Sequence, residues 1–420
     1  MPDVRILLWH GYLLGGTGSN VYTRALAREW SRQGHDVVVV CQDREPEQYD
    51  LAGAQVVVPE LPDRLLPVFV LDRYQGLEPK LLQDFSASES GAYVEANAAA
   101  LRALLPADVV FANHVLMGGA VGERTGVPFR VKAHGSELEY SLRGRPELER
   151  WGAHVLAAAD ATYVGSAHIR EVLEDVVGHV DRVHEVPPGV DVDEFAPRPR
   201  DEARAALIEE ARNDPPNPGN AHERLPDDGN ADRLASFLAG DEPTVLYFGK
   251  LIEQKGVQVL LEAMQGGSSP VEARLVVVGF GPYRAALESI APKRTLFTGP
   301  LEHRHLVQLL PLADVTVVPS IFPEAFGMVA AEAAAAGSPP LVARHSGLAE
   351  VACELEAHYP ERLRHLASFE TGDPADLRRK LVELLALSPA DRETLRDAAR
   401  ATVVELWSWA GVAKRLTAPL

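Results

Sequence analysis

Short apolar runs rich in β-branched residues recur along the chain, and longer amphipathic stretches separate them. In the first half the runs are continuous rather than alternating, which is typical of strands buried on both faces of a sheet. The stretch NVYTRALAREWSRQG predicts a helix between the first two runs, ending at Gly34. Strand–helix alternation of this kind predicts a parallel, doubly wound α/β sheet. The strands predicted in this half are 4–10, 36–42, 55–60, 108–114, 129–135, 162–166 and 183–190.

The pattern changes between Arg198 and Pro243, where charge, proline, asparagine and glycine dominate. We predict an acidic linker there, which begins with a short helix and continues as a mobile loop. A chain of 420 residues exceeds a typical single core, so two Rossmann-like domains are expected. Their sheets are expected to face a shared cleft with the carboxyl ends of their strands, where doubly wound folds bind ligands. The strands predicted in the second half are 244–250, 273–281, 295–300, 315–320 and 339–344.

A glycine-rich loop follows the first predicted strand. Gly15, Gly16 and Gly18 precede a helix, which suits a loop whose backbone N–H groups approach an anion. The loop resembles a dinucleotide fingerprint in which Val21 replaces the third glycine, and Asp43 stands where a ribose-binding acid would. These residues alone leave open an NAD-dependent oxidoreductase and a glycine turn without a ligand.

The loop FGKLIEQKG follows the first strand of the second half. Lys250 and Lys255 lie in it although the whole chain has few lysines, which favours a cationic clamp for a diphosphate over two solvated side chains. Gly249 is the first glycine of this loop. Gly279 and Gly281 end the next strand, and we expect them to leave room for a flat ligand against the backbone.

Three further side chains are candidates for chemistry. His134 comes just after a predicted strand, in VKAHGSE. Glu324 and Glu332 interrupt the otherwise apolar run SIFPEAFGMVAAEAAAAGSPPL. We expect a helix from about Phe326 to Gly337, with Glu324 in the loop before it and Glu332 a turn or two inside it.

Composition and charge restrict the class of protein. The formal net charge of −19 argues against nucleic acid as a partner and gives no indication of membrane association. No run approaches the ~20 apolar residues of a membrane span, and no signal peptide is recognised, so a cytoplasmic protein is expected. Cys41 and Cys353 are predicted to be buried thiols. Asp191 and Asp193 form a DxD pattern without further ligands nearby, so we assign them to a turn and expect no metal.

Taken together, these segments resemble the family 4 glycosyltransferases, retaining enzymes of the GT-B fold, over nearly the whole chain. The most specific part is the E-x7-E motif from Glu324 to Glu332 in its PS…E.FG…EA…G setting, beside GKL…KG. The other matching segments are GGTGSNVYTRALA, GHDVVVV, VKAHGSE, PPGVDVDEFAP, LVVVGFGP, FTGPL and the C-terminal WSWAGVAKRL.

The resemblance implies where a nucleotide-sugar donor binds. Lys250 and Lys255 would hold its diphosphate, with Lys250 standing where many members have arginine. The glycine pair Gly15 and Gly16 would approach the distal phosphate, with the backbone N–H of Gly16 donating to it. No cofactor or metal is implied, and the leaving phosphate oxygen would take the proton of the acceptor in a front-face attack.

The resemblance also assigns the sugar and the nucleoside. Glu324 would accept hydrogen bonds from hydroxyls of the donor sugar, with the backbone of Phe326 and Gly327 contributing. Glu332 would bind the ribose hydroxyls, and His134 would lie beside the transferred sugar.

The implied protein is a metal-independent hexosyltransferase that uses a UDP- or GDP-sugar and a small soluble acceptor. A nucleotide-sugar epimerase or a sugar-binding regulator of the same fold stays open. Residues 61–100 match no part of the family pattern, so the acceptor is unassigned. The expected organisation is an acceptor-side domain at 1–197 with 401–420 crossing back onto it, the acidic linker at 198–243, and a nucleotide-sugar-binding domain at 244–400.

Overall fold

The computed structural model describes residues 4–15, 18–69, 74, 76–217, 225–266 and 271–418. It divides into two compact units. Unit 1 contains the chain up to Gly189 and the segment from Trp409 onward, and unit 2 is Val190–Ser408.

Unit 1 is built on a parallel sheet in the order β3-β2-β1-β6-β7-β8-β9. Leu7 of β1 pairs with Val38 on one side and Val110 on the other, and all three side chains are buried. Each strand coincides with a predicted one, and the continuous apolar runs suit the central strands, which are covered on both faces. The strands are β1 (Arg5–Trp9), β2 (Asp36–Val40), β3 (Gln55–Val57), β6 (Val109–Asn113), β7 (Phe129–Lys132), β8 (Ala161–Val164) and β9 (Val183–Glu185).

A second, two-stranded parallel sheet in unit 1 lies within the segment that matched no family pattern. It pairs β4 (Leu65–Val68) with β5 (Glu78–Leu81). Leu66 and Val68 are buried in a small apolar cluster of their own. This sheet was not predicted, since both strands are short and each contains a proline.

The helices of unit 1 cover its main sheet, and the last of them comes from the C-terminus. Trp30 of α1 donates its indole N–H to the carbonyl of Ala413 at 3.0 Å, and Tyr22 packs edge-on against Trp409. The segment from Trp409 onward thus belongs to unit 1, whereas residues 401–408 of the predicted return belong to unit 2. The helices are α1 (Gly18–Arg32), α2 (Ala87–Ala103), α3 (Met117–Thr125), α4 (Gly135–Glu137), α5 (Pro146–Ala158), α6 (Ala167–Val177) and α16 (Trp409–Thr417).

Unit 2 has a parallel sheet in the order β12-β11-β10-β13-β14-β15. Leu246 in β10 pairs with Val276 of β11 and with Thr316 of β13. Five of its strands were predicted, and the two-residue β15 was not. The strands are β10 (Thr244–Phe248), β11 (Arg274–Val278), β12 (Thr295–Phe297), β13 (Val315–Val318), β14 (Pro340–Ala343) and β15 (Ser368–Phe369).

The helices of unit 2 include two in the segment that was predicted to be a linker. They are α7 (Arg200–Arg212), α8 (Asn230–Phe237), α9 (Val257–Gln265), α10 (Arg284–Ile290), α11 (His303–Leu309), α12 (Met328–Ala335), α13 (Ser346–His358), α14 (Pro374–Leu385) and α15 (Pro389–Leu406).

The segment 198–243 thus differs from its prediction. Leu207 and Leu234 are fully buried in the core of unit 2, and Asp227 accepts two hydrogen bonds from the guanidinium of Arg284. The polar composition reflects the outer faces of α7 and α8, while their inner faces pack on the domain. Residues 218–224, part of the expected mobile loop, lie outside the described residues.

Two smaller findings complete the fold. Cys41 is buried as predicted, but the prediction for Cys353 is wrong, because this residue lies on the exposed face of α13.

Among the described residues, no helix combines the length and apolar character that crossing a membrane requires.

Candidate functional site

The order of the strands in unit 2 reverses between β10 and β13, which are neighbours in the sheet but distant in sequence. Loops that leave the carboxyl ends of two such strands diverge to opposite faces, and doubly wound sheets bind ligands there. Lys255 lies in the loop after β10 and Glu324 in the loop after β13. The topology therefore brings together two residues that were predicted separately.

These two side chains form an ion pair. The Lys255 ammonium lies 2.5 Å from the Oε1 atom of Glu324, and the hydroxyl of Ser320 donates to the same oxygen at 2.8 Å. The Glu324 side chain is 20% exposed and that of Lys255 is 32% exposed, so a ligand can reach both. Lys250, in contrast, is exposed and pairs with no carboxylate of the described residues.

Glycine lets the two loops approach closely enough for this pair to form. Gly256 has a φ of +68°, and a Cβ atom there would lie 1.8 Å from the carbonyl oxygen of Pro319. The backbone N–H of Ile321 donates to the carbonyl of Gln254 at 2.9 Å. Lys255 is therefore held against the Glu324 loop by its backbone as well as by its charge.

A third loop, after β14, fixes the position of Glu324. The Ser346 hydroxyl accepts a hydrogen bond from the Glu324 backbone N–H at 2.9 Å, and Gly347 donates its N–H to the Glu324 carbonyl at 3.0 Å. His345 forms a hydrogen bond through Nε2 with the carbonyl of Ser320 at 2.7 Å. These residues were not predicted, although their place just after a predicted strand was a usable signal.

Glu332 lies on α12, one turn inside the helix. Its carboxylate has no hydrogen-bond partner among the described residues, and burial raises its pKa to about 7. The nearby imidazole of His303 opposes that rise, and Glu194 in turn raises the pKa of His303. Glu332 is half-buried and its carboxylate has no donor from the described residues, so it is suited to a ligand that brings hydroxyl groups.

The N-terminus of α12 is directed by a tight turn at Gly327. This residue has a φ of +118°, and a Cβ atom there would meet Leu348 at 2.7 Å. No side chain caps the helix among the described residues, so its first N–H groups remain available to an anion. The Phe326 ring is buried edge-on against Trp407, which leaves only its backbone for a ligand. The helix ends at Ala335, close to the predicted end.

Three of the predicted glycines allow two loops to pack closely, whereas they were expected to leave room for a ligand. A Cβ atom on Gly279 would lie 1.8 Å from the carbonyl oxygen of Gly249, and one on Gly281 would lie 2.3 Å from that of Leu251. They allow the loops after β10 and β11 to pack on each other rather than leaving open space between them. Binding of a ligand by these backbones stays a prediction.

His134 follows β7 in unit 1 and is held by Asn113 of the neighbouring strand. Its Nε2 atom lies 3.0 Å from the amide oxygen of Asn113, whose amide nitrogen is oriented towards the hydroxyl of Thr23. Because an amide oxygen only accepts, Nε2 carries the proton and Nδ1 is left as an acceptor. Burial holds the pKa of His134 well below its usual value, helped by His114 and Lys132. The side chain is thus a neutral hydrogen-bonding group.

The surroundings of His134 contain polar residues that were not predicted to take part in a site. His10 is fully buried, and burial lowers its pKa to about 3. Lys132 is also buried, with a pKa lowered to about 7, and donates to the carbonyl of Val186 at 3.0 Å. Glu137 accepts the backbone N–H groups of Val115 and Leu116 at 2.6 and 2.8 Å. These groups hold the loops at this edge of the sheet in place.

The first glycine loop is only partly described. Gly16 lies outside the described residues, and Gly15 packs so closely that a Cβ atom would lie 2.3 Å from the Tyr49 hydroxyl. Asp43 is buried, and its carboxylate accepts the backbone N–H groups of Leu14 and Glu45. It therefore fixes the loop and is not a free acid for a ribose, which weighs against the oxidoreductase alternative.

The DxD pattern is a turn, as predicted. Asp191 accepts the backbone N–H groups of Asp193 and Glu194 at 3.1 and 3.0 Å through one carboxylate oxygen. A side chain that closes its own turn in this way is explained without a ligand.

Comparisons with known proteins identify the family of this chain. Residues 230–402 match the family model described as glycosyl transferases group 1, and residues 16–194 match that of glycosyltransferase family 4. The chain is 30% identical to a D-inositol 3-phosphate glycosyltransferase of Xylanimonas cellulosilytica, over 80% of this chain and 77% of the relative.

Two further similarities bear on ligands and fold. A GDP-mannose-dependent monoacylated alpha-(1-6)-phosphatidylinositol monomannoside mannosyltransferase of Corynebacterium glutamicum is 26% identical, over 72% of each chain. The solved structure of Anabaena HepE in complex with UDP and glucose matches with a TM-score of 0.66 at 16% identity, covering 98% of this chain and 97% of HepE.

Proposed function

This chain belongs to glycosyltransferase family 4 and has the GT-B fold, and from that premise we propose that it transfers a hexose from a UDP- or GDP-sugar with retention of configuration. No metal takes part in the proposed reaction. The observation that carries the proposal is the group of Lys255, Glu324 and Ser320 at the strand-order reversal of unit 2, next to the uncapped N-terminus of α12.

The charges of this group suit a nucleotide-sugar donor. Lys255 and the helix N-terminus offer positive charge to a diphosphate, and Lys250 adds a second ammonium that no described carboxylate neutralises. The second oxygen of Glu324 remains for a sugar hydroxyl, because Lys255 and Ser320 both bind the first. Glu332 would accept the ribose hydroxyls.

The proposed reaction exchanges one bond at the anomeric carbon for another. The bond from that carbon to the diphosphate oxygen breaks, and a bond to the acceptor oxygen forms on the same face. The acceptor proton passes to the departing phosphate oxygen, so no side chain needs to act as the base. Lys255 stabilises the charge that develops on the diphosphate, and the protein contributes mainly orientation.

His134 is proposed to contact the transferred sugar. As a neutral imidazole with Nδ1 free to accept, it can take a hydrogen bond from a hydroxyl without placing charge beside the anomeric carbon. A small soluble acceptor is proposed on the acidic net charge of the chain. Because the Xylanimonas relative is named for D-inositol 3-phosphate, that compound is the first acceptor to assay.

A donor screen tests the proposal without an acceptor. The purified protein is incubated with UDP-glucose, GDP-mannose and ADP-glucose, and release of the nucleoside diphosphate is measured against the Lys255→Ala variant. We expect slow hydrolysis of one UDP- or GDP-sugar that the variant lacks. Equal rates in both proteins for every donor would contradict the proposal.

Stereochemistry and metal dependence need separate measurements. With an α-linked donor and a working acceptor, proton NMR of the product should show an α linkage, and a β linkage would exclude retention. The transfer rate should be the same with and without EDTA. A rate that EDTA abolishes and Mg²⁺ restores would exclude metal independence.

A further inference from the structure

A cavity lies in unit 2, away from the donor site. Its volume is about 330 Å³, and it lies between α15, the loop that enters α7 and the end of α12. The cavity lies near Asp314, which precedes β13 at the amino end of the strand, whereas Glu324 follows the carboxyl end. The cavity and the donor site are therefore at opposite edges of the sheet.

Four guanidinium groups line this cavity, those of Arg198, Arg200, Arg392 and Arg396. Three of them share a single oxygen of Asp314, at 3.7, 3.4 and 3.4 Å for Arg200, Arg392 and Arg396 respectively. The other oxygen of Asp314 accepts the backbone N–H of Thr244. One carboxylate oxygen at these distances compensates three guanidiniums incompletely, although the chain as a whole is strongly acidic.

The hydrogen bonding of these arginines is also incomplete. The Nε atoms of Arg392 and Arg396 are buried without a partner among the described residues. Their terminal nitrogens do donate to backbone carbonyls, Arg392 to Leu385 and Leu387 and Arg396 to Ala313. Nearby Arg274 differs in that its Nε atom also has a partner, the hydroxyl of Thr244. Burial lowers the pKa of Arg396, and the nearby charges of Arg200 and Arg392 lower it further. The charged form of Arg396 is therefore destabilised, and a bound anion would stabilise it.

The rest of the lining is apolar apart from two carboxylates. Pro197, Pro311 and Pro389 form apolar walls, and the exposed residues Glu393 and Asp397 of α15 also line the cavity, so four arginines outnumber two lining carboxylates. The volume lies at the lower end of the roughly 300–1,000 Å³ typical of small-molecule sites. It is larger than an inorganic anion alone requires.

We propose that this cavity binds a phosphate dianion, and that its proline walls hold the organic part when the phosphate is a small monoester such as a sugar phosphate. Guanidinium groups bind phosphate oxygens through paired N–H donors, so a phosphate in the cavity would compensate the excess positive charge of the lining arginines. The site is separate from the one that would hold the donor diphosphate.

Titration calorimetry on the full chain tests this assignment. Glucose 6-phosphate, inorganic phosphate and glucose are titrated into the unaltered protein and into Arg198→Ala, Arg212→Ala and Lys255→Ala. Arg198 is exposed and donates only weakly, to the carbonyl of Glu194, so its removal should leave the fold intact. Arg212 is the matched control, because it lies at the other end of α7 and pairs with Glu209.

We expect one phosphate compound to bind with a stoichiometry of one, and glucose not to bind. The dissociation constant should rise at least about tenfold in Arg198→Ala and stay unchanged in Arg212→Ala and Lys255→Ala. Tighter binding of glucose 6-phosphate identifies a monoester as the ligand, and tighter binding of inorganic phosphate identifies the free ion. No binding, or binding that Lys255→Ala removes and Arg198→Ala leaves intact, would overturn the proposal.

Discussion

At the carboxyl ends of its strands, the sheet of unit 1 carries neutral imidazoles beside a buried lysine and a buried glutamate, whereas the sheet of unit 2 carries a lysine and a glutamate that are partly exposed. In unit 1 the pKa of His10 is lowered to about 3 and that of His134 falls well below its usual value, so both side chains are neutral. In unit 2 Lys255 and Glu324 form a partly exposed ion pair. One fold type has thus produced two edges of different chemistry.

The difference follows from which loops the strand order makes neighbours. In unit 1, β6 and β7 bring Asn113 beside His134, and burial there removes charge. In unit 2, β10 and β13 bring an ammonium beside a carboxylate at a more open position, and charge is kept. The first edge suits sugar hydroxyl groups and the second suits a diphosphate, which the following variants test.

Removing the charge of Lys255 or of Glu324 in unit 2 should cause the largest loss of activity. In Lys255→Ala or Glu324→Ala we expect kcat/KM to fall by about 10²–10³-fold, the cost typical of losing one preorganised electrostatic contact. The double variant should be little worse than either single one, because the two residues share an ion pair. Steady-state kinetics, with circular dichroism to verify folding, would measure both effects.

Lys293→Ala provides the control for that pair. Lys293 is exposed in the same unit and lies far along the chain from both loops, so its removal should leave kcat/KM unchanged. Strict additivity of the two single losses would contradict the ion pair as the functional unit.

Much of this site was predictable, and the reason for the remainder is topological. The motif around Glu324 and the lysines of FGKLIEQKG identify the charged residues from local sequence alone. Ser346 and His345 escaped notice because their role depends on β14 lying next to β13, and strand order is not a local property of sequence. The lowered pKa of His134 is equally a product of tertiary packing.

The fold, like the site, was predictable where local sequence determines the structure. Apolar runs identify every strand of the main sheet in unit 1, and its central strands, such as β1 and β6, are covered on both faces. Helix α7 was assigned to a linker because its charged residues dominate the composition. Yet Ala203, Leu207 and Ala211 recur every four residues and form its buried stripe, so hydrophobic periodicity was the better signal.

Substitution of Glu332 should have the second-largest effect, a loss of affinity for the nucleoside diphosphate. The contribution of Glu332 to that affinity should depend on pH. Ribose hydroxyls donate to the ionised carboxylate, so binding lowers a pKa that burial has raised to about 7. Affinity for the nucleoside diphosphate should therefore be highest above pH 7 and fall by up to about tenfold per unit below it. Calorimetric titrations between pH 5.5 and pH 8.5 would measure this slope.

Two variants isolate the contribution of Glu332. Glu332→Gln should bind weakly and lose the pH dependence. His303→Gln should move the inflection to higher pH, because the imidazole now lowers the pKa of Glu332. A slope that persists in Glu332→Gln would assign the titration to another group.

A variant of His134 tests the role of the neutral imidazoles in unit 1. We expect His134→Ala to lose about tenfold in kcat/KM, the value of one hydrogen bond to a sugar hydroxyl in a site that excludes water. Because its pKa lies well below the usual range, the unaltered enzyme should show no change in kcat/KM from this imidazole near pH 6.5. A pH–rate profile that loses an inflection at that pH in His134→Ala would show that the imidazole titrates there after all.

Ser346 should give the smallest effect, because it acts through the position of Glu324. Ser346→Ala removes one hydrogen bond to the Glu324 backbone, worth about 1 kcal/mol or a several-fold loss in kcat/KM. Gly347 still holds the Glu324 carbonyl, so the loop should keep its course. Ser289→Ala, whose hydroxyl bonds only within α10, is the matched control. If Ser346→Ala lowered kcat/KM as much as Glu324→Ala does, the Ser346 hydroxyl would have to contact the donor directly. The donor site of unit 2 would then bind its ligand through a neutral group as well as through charged ones.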